Sequence, residues 1–235
     1  MTYPAFIIVA LLVVGILMFK FVMPNLTAVL EEQGGTLPPV SLALIAFTHF
    51  FGKFWWLVIV LLIALFFTIK FAVSTTSGRY LWDRTKIRIP IIGDIFKKIY
   101  LARFARNLST LVVGGIPIIK ALQIVSDIIN NVIYRDILLE TVEKVTGGKT
   151  ISEGLSGHPE FPSIVTQMVR VGEQTAQLDD ILGKLALFYE KEVDTKVSTL
   201  TTLLEPMIMV VLGIGVGLLV AGILLPIYNL ASTAG

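Results

Sequence analysis

Two short motifs in the middle of the chain contain residue types that could carry out chemistry. Residues 146–150, Thr-Gly-Gly-Lys-Thr, are similar to the end of a phosphate-binding loop. That loop needs a glycine at the position of Glu143 and a strand before it, whereas the pattern here is helical. We therefore interpret residues 146–150 as the end of one helix and the N-cap of the next, not as an ATP site.

The second motif, Gly-Leu-Ser-Gly-His at residues 154–158, is similar to a nucleophile elbow. The elbow needs a glycine where this chain has His158, and it joins a strand to a helix in an α/β sheet, which this sequence does not predict. We therefore interpret Ser156 as an ordinary loop serine.

The remaining reactive residue types are sparse. The chain has no cysteine, which excludes disulfides, thiolate metal sites and a catalytic cysteine, and its two histidines are too few to suggest a zinc site. The carboxylates of Glu190, Glu192 and Asp194 are interpreted as a solvated helix face. We predict neither an enzyme nor a cofactor site, and the pattern favours a scaffold, adaptor or coupling protein.

The composition of the 235 residues is that of a membrane protein. Hydrophobic residues make up 55% and charged residues only 15%, against about 25% charged in an average soluble domain. The net charge of +2 does not predict nucleic-acid binding. Three apolar segments are long enough for a bilayer, which takes about 20 residues. We place transmembrane helices at 1–23, 54–73 and 206–228.

The distribution of basic residues predicts the orientation. Four basic residues follow the second segment within a short stretch: Arg79, Arg84, Lys86 and Arg88. The loop 24–53 contains a single one, Lys53. Because cytoplasmic flanks carry the excess of Lys and Arg, residues 74–205 are predicted to be cytoplasmic. The loop 24–53 and the tail 229–235 are then outside, so that the C-terminus is external.

The cytoplasmic segment has a helical hydrophobic period and no strand alternation. Leu101, Phe104 and Leu108 fall on one helix face, with Arg103 and Arg106 opposite. Glycine, asparagine and proline breaks divide the segment further. We predict an all-α membrane protein, with three transmembrane helices and a cytoplasmic antiparallel bundle of about six helices.

Two groups of residues are candidate contact sites. A basic group on the cytoplasmic segment consists of Lys97, Lys98, Arg103 and Arg106, and it could bind an acidic partner or anionic lipid headgroups. Small residues recur at a spacing of four in the third apolar segment, at Gly213, Gly217 and Ala221. Small residues permit close helix approach in membranes, so this face is predicted to pack within the chain or between copies of a homo-oligomer.

Several longer stretches resemble one known family, the bacterial type II secretion F domain. They are residues 101–122, the Gly-Lys-Thr-Ile-Ser-Glu-Gly-Leu of 148–155, the Phe-Pro of 161–162, residues 168–180, and Glu-Pro-Met at 205–207. Within 168–180, Gly172 to Asp179 is similar to the family pattern G-E-x-[ST]-G-x-L-[DE], with Ala176 in place of its second glycine. The order of these stretches along the whole chain makes the resemblance specific.

The resemblance implies an inner-membrane platform protein of a type IV pilus or type II secretion machine. Such a platform would couple a hexameric cytoplasmic ATPase to pilin or pseudopilin, together with other inner-membrane assembly proteins and membrane lipid. The basic group is then expected to contact the ATPase. Family members usually carry two copies of the cytoplasmic domain, and this chain has the second, so it is expected to be a C-terminal half. A small membrane permease and a membrane-anchored signalling receptor are the alternatives.

Overall fold

The computed structural model describes the backbone of residues 73–233, of 54, 56–57, 59–68 and 70–71, and of six residues between 6 and 17. The side chains of 218–219 and 221–233 are outside this description, as are the predicted external loop 24–53 and most of the predicted first span. The described residues form helices and no strand, which confirms the all-helical prediction for that part of the chain.

The helices follow one another with short connections. They are α1 (Thr76–Arg88), α2 (Ile92–Val113), α3 (Ile118–Ile128), α4 (Val132–Thr146), α5 (Ile151–Leu155), α6 (Ser163–Thr175) and α7 (Leu178–Thr233). The chain divides into two compact units. One is Thr68–Ser198, which contains α1 to α6 and the start of α7, and the other combines Met1–Phe67 with Thr199–Gly235.

Local capping determines where several helices begin. The side chain of Asn131 accepts hydrogen bonds from the backbone amides of Ile133 and Tyr134, which starts α4. Thr150 and Glu153 form a capping box at the start of α5, since each side chain accepts from the other residue's backbone amide. The interpretation of residues 146–150 as a helix end and an N-cap is therefore confirmed.

The core of the Thr68–Ser198 unit lies between α2, α3, α4, α6 and α7. Its largest fully buried side chains include Leu101, Phe104, Leu108, Leu122, Tyr134, Leu138, Val165, Leu182 and Leu185. The predicted apolar face of α2 is confirmed, because Leu101, Phe104 and Leu108 are all in this set. Burial raises the pKa of Tyr134, and its hydroxyl donates to the carbonyl of Glu160 at 3.1 Å.

Helix α1 is the element that the sequence did not predict. Its buried Asp83 accepts a hydrogen bond from the backbone amide of Val132 at 3.0 Å and pairs with Lys86 at 3.3 Å. Ile87, one turn later, is buried in the core. Asp83 thus ties α1 to the N-terminus of α4, where a carboxylate is favoured by the helix dipole.

Helix α7 begins at Leu178 and continues through Pro206 to Thr233. A proline inside a helix removes one backbone hydrogen bond and usually kinks or breaks the helix. In this chain Pro206 does not end the helix. Within the described residues, the stretch Leu178–Gly217 is the one helix that is long and apolar enough to cross a membrane, with a window of mean hydropathy 1.8. A shorter apolar helix, Ile59–Thr68, lies inside the predicted second span.

Candidate interaction surface on helices α2 and α7

The predicted basic group lies on α2, and the structure places its members in different surroundings. Lys98 and Arg106 are paired with carboxylates of α7. Lys97 is half-buried and Arg103 is exposed, and neither has an ion pair with any residue that the structure describes. The four residues therefore do not form one uniform basic patch.

Arg106 makes the best-defined contact of the group. Its Nε lies 2.9 Å from Oε1 of Glu190, and its Nη2 lies 2.6 Å from Oε2 of the same residue. This two-point geometry is the strongest form of a guanidinium–carboxylate pair. The hydrogen bond from Arg106 lowers the pKa of Glu190, and the same bond raises the pKa of Arg106.

Lys98 is the centre of a second set of ion pairs. Its Nζ lies 2.7 Å from Oε2 of Glu192 on α7 and 3.4 Å from Oδ2 of Asp94 on its own helix. The hydrogen bond with Glu192 is the main cause that raises the pKa of Lys98. Lys196 also pairs with Asp94 at 3.5 Å. The ion pairs thus join α2 to α7 at two positions along the helices, one at Arg106 and one at Lys98.

These contacts correct the interpretation of the α7 carboxylates. Glu190 and Glu192 were predicted to form a solvated face together with Asp194. Both instead hold a cation of α2, although each side chain keeps about two fifths of its exposure. Asp194 is exposed and has no ion pair among the described residues, so the prediction holds for it alone.

An open groove of about 450 Å³ runs between α2 and α7 beside the Arg106–Glu190 pair. It is lined by Ile99, Ala102, Arg103, Arg106, Asn107, Glu190, Val193 and Asp194. Arg103 and Asp194 add a positive and a negative charge to this lining, and neither has an ion pair with a residue that the structure describes. The remaining polar groups are the ion-paired Arg106 and Glu190 and the amide of Asn107.

The family-like stretch 172–176 connects α6 to α5 and α7 through contacts that the sequence did not predict. The carboxylate of Glu173 accepts hydrogen bonds from the backbone amides of Ile151 at 2.5 Å and Ser152 at 3.1 Å. It thereby occupies the free amides at the start of α5, which would otherwise need water. A Cβ on Gly172 would lie 3.1 Å from Cα of Leu178, so glycine allows α6 and α7 to approach closely.

Ala176, where the family-like pattern has a different residue, ends α6. Its φ of 53° lies in the left-handed region that favours glycine. The alanine is therefore strained at a position where a helix reverses into the next. Nothing in the sequence alone marks this strain apart from the departure from the pattern.

The side chains of Ser156 and His158 contact neighbouring residues of the helical unit. The Ser156 hydroxyl donates to the carbonyl of Ser152 at 2.6 Å, at the end of α5. The interpretation of Ser156 as a loop serine is confirmed. Nε2 of His158 lies 3.6 Å from Oε2 of Glu140, whose pKa is lowered chiefly by its hydrogen bond with Lys144.

The second predicted contact site lies on α7. A Cβ added to Gly213 or to Gly217 would meet no atom of the described residues within 4 Å. No described side chain or backbone therefore fills the space beside either glycine. Ala221 lies on the same helix, and its side chain is outside the described residues.

Residues 104–226 match the family described as Type II secretion system (T2SS), protein F. The chain is 38% identical to the type IV pilus assembly protein PilC of Pseudomonas aeruginosa, over 100% of this chain and 63% of that relative. It is 35% identical to the PilC of Thermus thermophilus, over 99% of this chain and 58% of the relative. It is 28% identical to the type II secretion system protein F of Pseudomonas aeruginosa, over 99% and 58%. The chain thus spans about three fifths of the length of these relatives.

Proposed function

The chain belongs to the type II secretion system protein F family, and we propose that it acts as the inner-membrane platform of a pilus or secretion machine. The observation that carries this proposal is the family match over residues 104–226, together with relatives that align over the whole chain. The relatives named as type IV pilus assembly proteins are 34–38% identical, whereas those named as type II secretion proteins are 26–28% identical. This difference favours assembly of a type IV pilus.

The platform proposal is tested by deleting the gene that encodes this chain. Pili should disappear from the cell surface in electron micrographs, while pilin should still accumulate in the inner membrane on immunoblots. A strain complemented with the intact gene is the control. Normal piliation of the deletion strain would contradict the proposal.

We further propose the three-span arrangement, with spans at 1–23, 54–73 and 206–228 and the bundle of about six helices in the cytoplasm. The basic residues after the second apolar segment and the apolar helix Leu178–Gly217 support it. Because the chain has no cysteine, single-cysteine variants report topology directly. A membrane-impermeant maleimide should label Ser232→Cys in intact spheroplasts and Lys149→Cys only after permeabilisation.

For the coupling role, we propose that the cytoplasmic ATPase contacts the groove between α2 and α7. Arg103 and Lys97 would touch the ATPase, because they have no ion pair within the described part of the chain. Lys98 and Arg106 would position α7 beside them through their carboxylate partners. The platform itself would hydrolyse no nucleotide, and it would transmit the motion of the ATPase to pilin.

Two variants distinguish contact from positioning. Arg103→Glu should abolish pull-down of the purified ATPase without lowering the thermal stability of the chain. The double variant Arg106→Glu with Glu190→Arg restores the ion pair with reversed polarity, and it should keep most of the binding. If Arg103→Glu still binds the ATPase and assembles pili, the groove is not the docking surface.

We also propose that the small-residue face of α7, at Gly213, Gly217 and Ala221, packs against a second copy of the chain. The open space at both glycines supports this, since no described residue fills it. Close approach of two membrane helices needs such small residues.

A further inference from the structure

Helix α1 has two faces with opposite surroundings. Asp83 and Ile87 are buried against the rest of the Thr68–Ser198 unit. On the other side, Leu81 keeps 61% and Trp82 keeps 42% of its exposure. The following turn continues this apolar surface with Ile89, Ile91 and Ile92, which are 40–69% exposed. No other described residue covers this surface.

The same surface is strongly basic. Arg84 and Arg88 are exposed and have no ion pair with a described residue, whereas Arg79 lies toward α4, in a groove with Arg135 and Asp136. The single acid of α1, Asp83, is buried and already used by Lys86 and by the backbone amide of Val132. Lys86 lies over the ring of Trp82, with its Nζ 5.6 Å from the ring centroid.

Two of the arginines share a groove with apolar side chains. A shallow groove of about 420 Å³ is lined by Leu81, Arg84, Thr85, Arg88 and Ile89. Arg84 and Arg88 are one helical turn apart, so both guanidinium groups can reach one phosphodiester. Leu81 and Ile89 border the same groove and would contact the upper part of an acyl chain.

Ile91 adds an independent observation. Its φ of 69° and ψ of −60° belong to a tight turn, across which the backbone amide of Ile92 donates to the carbonyl of Pro90 at 2.8 Å. Its side chain is 69% exposed, so packing inside the unit does not explain an isoleucine at this position. The turn between α1 and α2 therefore holds an isoleucine side chain outside the packed interior of the unit.

We propose that α1 and the turn 89–91, here called the α1 surface, bind the anionic lipids of the cytoplasmic leaflet. This proposal rests on the topology proposed above, in which α1 directly follows the second span. Arginine beside exposed leucine, isoleucine and tryptophan is the pattern of a segment that lies in a membrane interface. A free phosphate ion would use the arginines and leave the apolar residues without a role. An acidic soluble protein is the competing occupant, and the test separates it.

Tryptophan fluorescence can test the α1 surface in the intact chain. The sequence has three tryptophans, so two single-tryptophan variants can be built. Trp55→Phe with Trp56→Phe keeps Trp82 as the reporter of the α1 surface. Trp55→Phe with Trp82→Phe keeps Trp56 as the reporter of the second span. Each is reconstituted in bilayers that contain brominated phosphatidylglycerol or brominated phosphatidylcholine at equal bromine content.

Trp82 should be quenched by both lipids, and about twofold more strongly by the brominated phosphatidylglycerol, because each arginine attracts anionic headgroups. Arg84→Gln with Arg88→Gln should remove this preference without lowering the melting temperature. The matched control is Lys149→Gln with Arg170→Gln, which removes two exposed cations outside the α1 surface and should leave the preference unchanged.

The outcomes separate this proposal from the proposed topology. Quenching of Trp56 without quenching of Trp82 would show that the span is inserted and that the α1 surface faces water or a protein, which overturns the inference. Equal quenching of Trp82 by both lipids, or a preference that survives Arg84→Gln with Arg88→Gln, would overturn the selectivity for anionic lipid. If Trp56 is not quenched, the second span is not inserted and the proposed topology is wrong.

Discussion

Arg106 of α2 and Glu190 of α7 form a two-point ion pair between residues that are 84 positions apart in the sequence. The pair closes one side of the groove where Arg103 is exposed. Together with Lys98 and Glu192, it fixes the spacing of the two helices on the surface that we propose for the ATPase. A variant of Arg106 would therefore disturb both the fold and the groove, whereas a variant of Arg103 would change the groove alone.

The coupling between Arg106 and Glu190 can be measured with a double-mutant cycle. Arg106→Gln, Glu190→Gln and their combination should give a coupling of about 0.5–1 kcal/mol, the upper range for exposed pairs, because the contact has two hydrogen bonds. Unfolding by denaturant in detergent is the measurement. The control pair is Lys184 and Asp180, one turn apart within α7 and more exposed, for which about 0.3 kcal/mol is expected. Equal couplings for the two pairs would contradict the assigned role.

The same ion pair predicts a dependence on pH. Arg106 lowers the pKa of Glu190 in the folded state, so the pair adds stability above the ordinary pKa of glutamate. That stability is lost as the pH falls through the lowered pKa of the folded state. The melting temperature of the unmodified chain should exceed that of Glu190→Gln at pH 7, and the difference should shrink as the pH falls below the ordinary pKa of glutamate. A constant difference across this range would show that Glu190 acts by packing alone.

Gly154 allows α5 to lie against Thr141 of α4. A Cβ on Gly154 would lie 2.5 Å from Cγ2 of Thr141, a distance that real Cβ atoms do not show. Gly154→Ala should therefore destabilise the chain by about 1–3 kcal/mol through overpacking. Thr141→Ser removes the methyl group but keeps the hydroxyl that donates to the carbonyl of Ile137. The double variant should be more stable than Gly154→Ala alone, and simple addition of the two effects would contradict this geometry.

Ala176 offers a stabilising substitution. Glycine adopts its left-handed conformation without the steric penalty of a Cβ, so Ala176→Gly should raise the free energy of unfolding by about 0.5–1 kcal/mol. The same replacement at Ala186, which is helical and buried in α7, should lower it by about 1 kcal/mol or more. Thermal unfolding of the two variants side by side is the measurement. A loss of stability at Ala176 would show that its methyl group packs usefully.

The glycines of α7 predict an effect on assembly. Gly213→Leu with Gly217→Leu should weaken crosslinking between copies in detergent, because leucine prevents close approach of two helices at this face. The substitutions should leave the melting of the Thr68–Ser198 unit unchanged, since neither Cβ would meet a described residue. Leu218→Ala, a nearby position on the same helix, is the control. Unchanged assembly of the glycine variant would place the contact elsewhere.

The sequence by itself determined the helical character of the described residues and the buried face of α2. Helical periodicity and N-caps depend on residues only a few positions apart, so Leu101, Phe104 and Leu108, or Thr150 with Glu153, can be identified without a structure. The apolar segment from 206 onward was equally visible in the composition. Whether Pro206 ends α7 or only kinks it stayed open in the sequence, because the effect of a proline depends on whether the surrounding helix tolerates one missing hydrogen bond.

Only the tertiary structure decided how distant residues pair. Glu190 and Glu192 have the composition of a solvated face, and their partners Arg106 and Lys98 are brought near by the packing of α7 on α2. Helix α1 was missed for a similar reason: the contact that fixes it is Asp83 on the first amide of α4, 49 positions later. Long-range contacts of this kind follow from which helix faces meet, and the spacing of residues along one helix does not specify that choice.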